Sequence, residues 1–263
     1  MAEPARQIDI IDARPTFTQQ QADALNARFE GVDALTMLKA VFAEKLAGHV
    51  GVVSSFGAES AVLLDLVAKA DPGIPVIFVD TLKMFAETLH YRDLLVKRFG
   101  LTDSRIVAPR PETLAAKDET GLRWSYDPDG CCDIRKVEPM KRAKDGLDAW
   151  ISGRKAFQAS TRKNLPRFEV EDGKLKINPL GDWTKDDLEA WFIAHDLPRH
   201  PLEAQGYLSI GCEPCTSKVM PGEDPRAGRW RGWDKVECGI HSPVSPIVSP
   251  TVDPDDPANL PVF

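Results

Sequence analysis

Hydrophobic and polar positions along this chain alternate between helical and strand-like periods. Over residues 18–29 the apolar positions Ala22, Leu25 and Phe29 recur at helical spacing, and Leu35, Leu38, Val41, Phe42 and Leu46 do the same over residues 34–47. Residues 49–54 form a short β-branched run that reads as a buried strand. The loop Ser55-Phe56-Gly57 leads from it into a helix expected over residues 58–69, with Val62, Leu63, Leu66 and Val67 on one side. Asp71-Pro72-Gly73 stops that helix, since proline cannot extend it. A second strand is expected at residues 75–79, ending on Asp80-Thr81. A helix over residues 86–99 closed by Gly100, a short strand at 105–108 and a helical turn at 111–117 follow.

Residues 148–152 read as a later strand ending on Gly153, and residues 168–177 alternate around Asp172-Gly173 as a β-hairpin should. Residues 184–195 open with a capping pattern, Thr184 with Asp187, and continue as an amphipathic helix. Periodicity fades from Pro198, and residues 243–263 are rich in proline and aspartate. Strands alternating with helices of this length predict βαβ units, hence an α/β fold with a doubly wound parallel sheet flanked by helices. The expected organisation is a lead-in and helix over residues 1–30, a main domain over 31–241 with a cysteine-bearing C-terminal extension, and a proline-rich tail over 242–263.

Composition narrows the picture. The chain has 263 residues and a formal net charge of −7, a balance that disfavours nucleic acid or an anionic membrane surface as the main partner. No apolar run reaches the roughly 18 residues of a transmembrane helix. Residues 1–15 are polar and lack the apolar segment of a secretory signal, so the expected location is the cytoplasm. Thiols stay reduced there, and clustered cysteines bind metal or react.

Candidate chemistry gathers at strand ends, where open α/β sheets bind ligands. Ser54-Ser55-Phe56-Gly57-Ala58-Glu59-Ser60 joins a strand to a helix, and its backbone N–H groups and hydroxyls form a candidate anion site without a Walker lysine. Gly153, Arg154, Lys155 and Arg162 follow a later strand, and Arg226, Arg229 and Arg231 form a second basic group. Guanidinium forks suit sulfate and phosphate.

All five cysteines are Cys131, Cys132, Cys212, Cys215 and Cys238. Cys212-x-x-Cys215 alone is half a zinc site or a redox pair, and Cys131-Cys132 alone is a pair of buried thiols. Together they make four soft ligands, suited to zinc or to an iron–sulfur cluster. Neighbouring side chains diverge, which favours the separate irons of a [4Fe–4S] cluster over one tetrahedral ion. Lys136, one helical turn past Cys132, is placed to neutralise cluster charge or face an anion. Cys238 stands apart, three residues before His241, and is read either as a buried inert thiol or as a nucleophile whose thiolate the basic neighbours favour.

The loop at 54–60 resembles the pyrophosphatase-type loop of the adenine nucleotide α-hydrolase-like fold, with Ala58 in place of its lysine and Glu59 in place of its aspartate. A shorter anionic tail than that of ATP suits it better. Taken in order over residues 30–241, this loop, Asp80-Thr81, Cys131-Cys132, the Gly153 basic loop, Cys212-x-x-Cys215 and Glu237-Cys-Gly-Ile-His241 resemble the thioredoxin-dependent assimilatory adenylyl-sulfate reductases of the phosphoadenylyl-sulfate reductase family. The resemblance implies a [4Fe–4S] cluster on Cys131, Cys132, Cys212 and Cys215, with Cys238 as nucleophile. Its thiolate attacks the sulfur of adenylyl sulfate, AMP leaves, and thioredoxin releases sulfite from the S-sulfonate, in sulfate assimilation and cysteine biosynthesis. Lys136, Arg226, Arg229 and His241 are then expected to screen charge in the transition state. Ser54, Ser55, Phe56, Gly57, Ser60, Asp80, Gly153, Arg154, Lys155 and Arg162 are expected to contact the nucleotide. Ala156 departs from the family, whose loop often carries a second basic residue there. Members using the 3′-phosphorylated nucleotide generally lack the two cysteine pairs, so adenylyl sulfate is the expected substrate, with a phosphoadenylyl-sulfate or dual-specificity enzyme as the runner-up. An ATP-using enzyme of the same fold and a zinc-stapled binding module are the remaining alternatives. The expected partners are adenylyl sulfate and thioredoxin, with no nucleic acid or membrane; self-association into a homo-oligomer is left open.

Overall fold

β-Branched runs become the strands of one sheet. The computed structural model describes residues 16–158, 165–235 and 237–240. β1 (Val50–Val53), β2 (Val76–Val79), β3 (Ser104–Val107), β4 (Ala149–Ser152), β5 (Phe168–Glu171) and β6 (Lys174–Ile177) lie in the order β3-β2-β1-β4-β6-β5. All neighbours pair in parallel except β5 and β6. The expected parallel sheet is therefore mixed at one margin. Asp172 and Gly173 both take positive φ, +51° and +72°, in the two-residue turn that folds the hairpin.

Eight α-helices are described: α1 (Gln19–Arg28), α2 (Ala34–Ala43), α3 (Ser60–Ala70), α4 (Ala86–Phe99), α5 (Pro111–Lys117), α6 (Pro128–Cys132), α7 (Glu138–Lys144) and α8 (Lys185–Ala194). The capping box expected at Thr184 and Asp187 is present, and Thr18 with Gln21 forms another. α2 ends before residue 47 because Lys45 turns the chain at φ +55°. None of the described helices is long and apolar enough to cross a membrane.

The core is continuous from α1 to α8. Ala61 to Val67 of α3 are all buried, and all of them except Asp65 join β1, β2, β4 and β6 in one apolar cluster. α1 belongs to that cluster through Ala22 and Phe29. Phe29 stacks on Phe168 of β5 at 5.7 Å. Asn26 donates to the Phe168 carbonyl at 2.8 Å and accepts its N–H at 2.9 Å, so α1 covers polar groups on the sheet's outermost strand.

The stretch from α6 to α7 had no predicted element. It is helical throughout, with a π turn at Asp133–Val137 between the two α segments. Pro139 supplies a local reason. It has no N–H to donate four residues back, and just before it the Glu138 N–H donates to the Asp133 carbonyl five residues back. π Turns inserted in this way recur at functional sites.

β1 is flanked by β2 on one side and β4 on the other, so chain order reverses there. The loops leaving these strands diverge around a crevice at their carboxyl ends, the usual ligand position of the architecture.

Candidate active site

A cavity of about 450 Å³ occupies that crevice. Its wall includes Ser54, Ser55, Gly57 and Ser60 from the first loop, Gly153, Arg154 and Lys155 from the loop after β4, and Lys136, Arg226, Arg229 and Cys238. The side chains expected to act together are thus brought together from five separate stretches. Two expected contacts lie elsewhere. Phe56, at φ +49°, turns its fully buried ring into the core, edge-on to Phe78 at 5.5 Å, so it props the loop from beneath. Asp80 does not line the cavity, and its carboxylate accepts the Leu82 N–H at 2.8 Å. Arg162 and His241 lie outside the described residues, as does the tail at 242–263.

Much of the basic loop's charge has a fixed partner. Lys155 is buried and donates to Glu59 at 2.6 Å, and Gln158 donates to the same oxygen at 2.6 Å. Arg154 donates to Glu169 at 2.6 Å. Arg154, Lys155 and Gln158 are therefore held by these contacts within the described part of the loop. Three buried N–H groups of cavity-lining residues nonetheless find no hydrogen-bond partner among the described residues: Arg154 Nε, Arg229 Nε and Trp230 Nε1. A buried donor left unsatisfied costs about 1–3 kcal/mol. An oxyanion is the ligand class that would satisfy such donors beside lysine and arginine charge. Burial pulls the Arg229 guanidinium below its ordinary pKa, against the opposing pull of Cys238 and Cys212. Gly211 leaves the space this arginine fills: a Cβ there would lie 2.3 Å from Arg229 Nη2.

The other four cysteines line a second, small hollow of about 10 Å³, together with Trp124, Arg135, Lys136 and Trp230. Cys131 and Cys132 end α6, while Cys212 and Cys215 bracket a single 3₁₀ turn. Backbone bonds fix that turn on both sides. Glu213 donates to the Lys83 carbonyl at 2.8 Å, and Trp230 donates to the Cys215 carbonyl at 3.0 Å. Thr81 Oγ1 lies 3.2 Å from Cys212 Sγ. Arg135, on the π turn, donates twice to buried Asp118, at 3.0 and 2.6 Å, and once to the Thr81 carbonyl at 2.8 Å.

Burial pushes the Cys131 thiol up to about 11 and the Cys132 thiol up to about 12, and it raises Cys215 as well. Cys212 moves the other way: burial opposes its thiolate, but Lys136 and the Thr81 hydrogen bond outweigh it. Among the described residues, no three Cys, His, Asp or Glu side chains converge as a site for one metal ion. All four cysteines instead line one hollow, and the donor set is soft, of the kind that zinc or an iron–sulfur cluster takes.

Lys136 and Trp230 line both hollows and form the partition between them. Burial works against the Lys136 ammonium, yet Cys212, Cys238 and Cys132 outweigh it and raise its pKa. Trp230 is a site residue that no spacing in the sequence singles out. Gln158, and the role of Glu59 as its acceptor, were equally hidden, because the acid lies 96 residues from Lys155 and 99 from Gln158.

An α/β crevice of this kind, with one partly exposed cysteine on its wall and four more behind it, fits a sulfur-handling nucleotide enzyme. Residues 49–218 match the phosphoadenosine phosphosulfate reductase domain, and the chain belongs to that family. An adenosine 5′-phosphosulfate reductase of Mesorhizobium japonicum is 47% identical over 92% of this chain and 94% of its own length. One from Rhodococcus opacus is 34% identical over 89% of this chain and 99% of its own. The crystal structure of phosphoadenylyl-sulfate reductase from Candida auris, in a phosphate complex, superposes with a TM-score of 0.65 at 29% identity, covering 77% of this chain and 98% of that one.

Proposed function

We propose that this chain reduces adenylyl sulfate to sulfite and AMP through an S-sulfonate on Cys238. The reading is carried by one observation: Cys238 lines the same cavity as Ser54, Ser55 and Ser60 and the orphan donors of Arg154 and Arg229. The names of the relatives at 47% identity support adenylyl sulfate as the substrate, and both cysteine pairs are present. In the first step the Cys238 thiolate attacks the sulfate sulfur. An S–S bond forms, the bond from sulfur to the bridging oxygen breaks, and AMP departs with the electron pair. Two anions meet in that step, so Lys136, Arg226 and Arg229 serve to screen charge, and His241 is assigned to the same task from the sequence. In the second step a thiolate of thioredoxin attacks Cys238 Sγ and sulfite leaves with the S–S electron pair. The second thioredoxin thiol then frees Cys238, and the dithiol becomes a disulfide.

Ser54, Ser55, Gly57, Ser60 and Gly153 with Arg154 and Lys155 are assigned to the nucleotide's phosphate and sulfate; Phe56 serves by supporting the loop. Cys131, Cys132, Cys212 and Cys215 would hold a [4Fe–4S] cluster. When bound, such a cluster supplies rigidity and a local field, since thioredoxin carries the reducing equivalents. The reaction belongs to cytoplasmic sulfate assimilation towards cysteine.

The test is intact mass after mixing the iron-loaded protein with adenylyl sulfate and no reductant. A gain of about 80 Da on the Cys238 peptide is expected, lost again on adding thioredoxin with release of sulfite. Cys238→Ser should bind nucleotide and gain no mass. An adduct on another residue, or sulfite formation by Cys238→Ser, would overturn the assignment.

A further inference from the structure

We infer that Lys235 is a positioning residue for Cys238, acting through an ion pair with Asp129 that clasps the cysteine's stretch to the helix bearing Cys131 and Cys132; this rests on the S-sulfonate reading above. Lys235 stands three residues before Cys238, and its Nζ donates to Asp129 Oδ1. Asp129 lies in α6, two residues before Cys131. The lysine's side chain is only 8% exposed, with its ammonium 5.5 Å from the Trp230 ring centre, whereas the Asp129 side chain is 80% exposed. One end of the clasp is therefore seated against the partition and the other stands in solvent. Two further contacts complete the fastening. Arg226 reaches Glu237, the residue before the nucleophile, at 3.5 Å. Gly239, the residue after it, takes φ +82°, and a Cβ there would lie 3.4 Å from Val137 on the π turn.

The two half-reactions make opposite demands on this stretch. Sulfonyl transfer needs Cys238 held at the cavity wall, where it now stands. Transfer to a protein dithiol needs the same sulfur within reach of a macromolecule, although it is only partly exposed here. A half-solvated ion pair suits such a task, because partly exposed pairs are weak and open readily. It is also sensitive to salt, since charges in contact with solvent are screened.

The experiment compares wild type with Lys235→Met, Lys235→Arg and Asp129→Asn, all iron-loaded. Two rates are read at Cys238 by peptide mass: alkylation by iodoacetamide without nucleotide, and S-sulfonation at saturating adenylyl sulfate. Lys235→Met and Asp129→Asn should each raise alkylation and lower S-sulfonation by about two- to fivefold, the range of such a pair. Sulfite release from preformed S-sulfonate by thioredoxin should not slow, and Lys235→Arg should restore the wild-type rates. In wild type, added salt should speed alkylation towards the Asp129→Asn rate, and in that variant salt should have no such effect. Unchanged rates in Asp129→Asn, whose exposed side chain can be replaced without loss of the fold, would overturn the clasp. If wild type forms no S-sulfonate, the proposed reaction fails, and the alkylation comparison still decides the clasp.

Discussion

Replacing Arg135 by methionine isolates what holds the thiol hollow in shape. The guanidinium and the Asp118 carboxylate are 5% and 0% exposed, joined by two hydrogen bonds at 3.0 and 2.6 Å. A third bond runs to the carbonyl of Thr81, whose hydroxyl meets Cys212. Methionine keeps the stem's volume but leaves a buried carboxylate with the Arg123 N–H, which it accepts at 2.9 Å, and the more distant Lys83 charge. Breaking a buried pair from one side costs about 3–5 kcal/mol. At about 2–4 °C per kcal/mol for a chain of this size, the melting temperature should fall by about 6–20 °C. Differential scanning calorimetry measures this.

The pH dependence follows from Asp118. Burial works to raise its pKa, but the Arg123 N–H and Arg135 outweigh burial and hold it below the ordinary carboxylate value. A depressed carboxylate contributes stability above its unfolded pKa, near 3.9, and loses it as pH falls through the folded value. Without Arg135 the carboxylate protonates at higher pH. The deficit of Arg135→Met should therefore be largest at neutral pH and narrow on acidification. Arg135→Met with Asp118→Leu should recover much of the loss, because replacing both partners removes the stranded charge. A deficit below about 1 kcal/mol, the scale of an exposed pair, or a double variant no better than the single one, would refute this reasoning.

Gly211→Ala places a methyl group against the Arg229 guanidinium; overpacking of about 1–3 kcal/mol should appear chiefly as weaker nucleotide binding by calorimetry, and unchanged affinity would show that the arginine moves aside freely. Lys136→Ala should keep the fold by circular dichroism and slow S-sulfonation by about 10²-fold, the usual loss for one charge-stabilising group; an unchanged rate would remove Lys136 from the reaction. His200 is buried, with Nδ1 accepting the Leu202 N–H at 3.2 Å and Nε2 lying 3.1 Å from Thr88 Oγ1, and burial lowers its pKa to about 4. The unfolded chain binds that proton near pH 6.5, so stability should be complete above 6.5 and fall by about 3 kcal/mol as pH drops towards 4. Denaturation midpoints of wild type and His200→Gln across that window test this, and parallel slopes would refute it.

The strands and long helices were legible because their apolar positions keep one period from end to end. The helical stretch carrying Cys131, Cys132 and Lys136 was not, since prolines at 128 and 139 and the π turn break any regular spacing. The hairpin was readable from Asp172-Gly173, and it made β5 antiparallel in a sheet otherwise built of parallel neighbours. At the site, the sequence motif located the loop at 54–60 but not the inward turn of Phe56, which depends on backbone dihedrals. Pairings such as Lys155 with Glu59 depend on contacts across the sheet that local pattern cannot reveal. The cysteines were easier, because soft donors in two pairs restrict the chemistry whatever the path between them.

Lys136 and Trp230 stand between the cysteine-lined hollow and the larger cavity. The two rooms therefore share a single wall. A disturbance on the cysteine side is passed to the larger cavity through these two side chains.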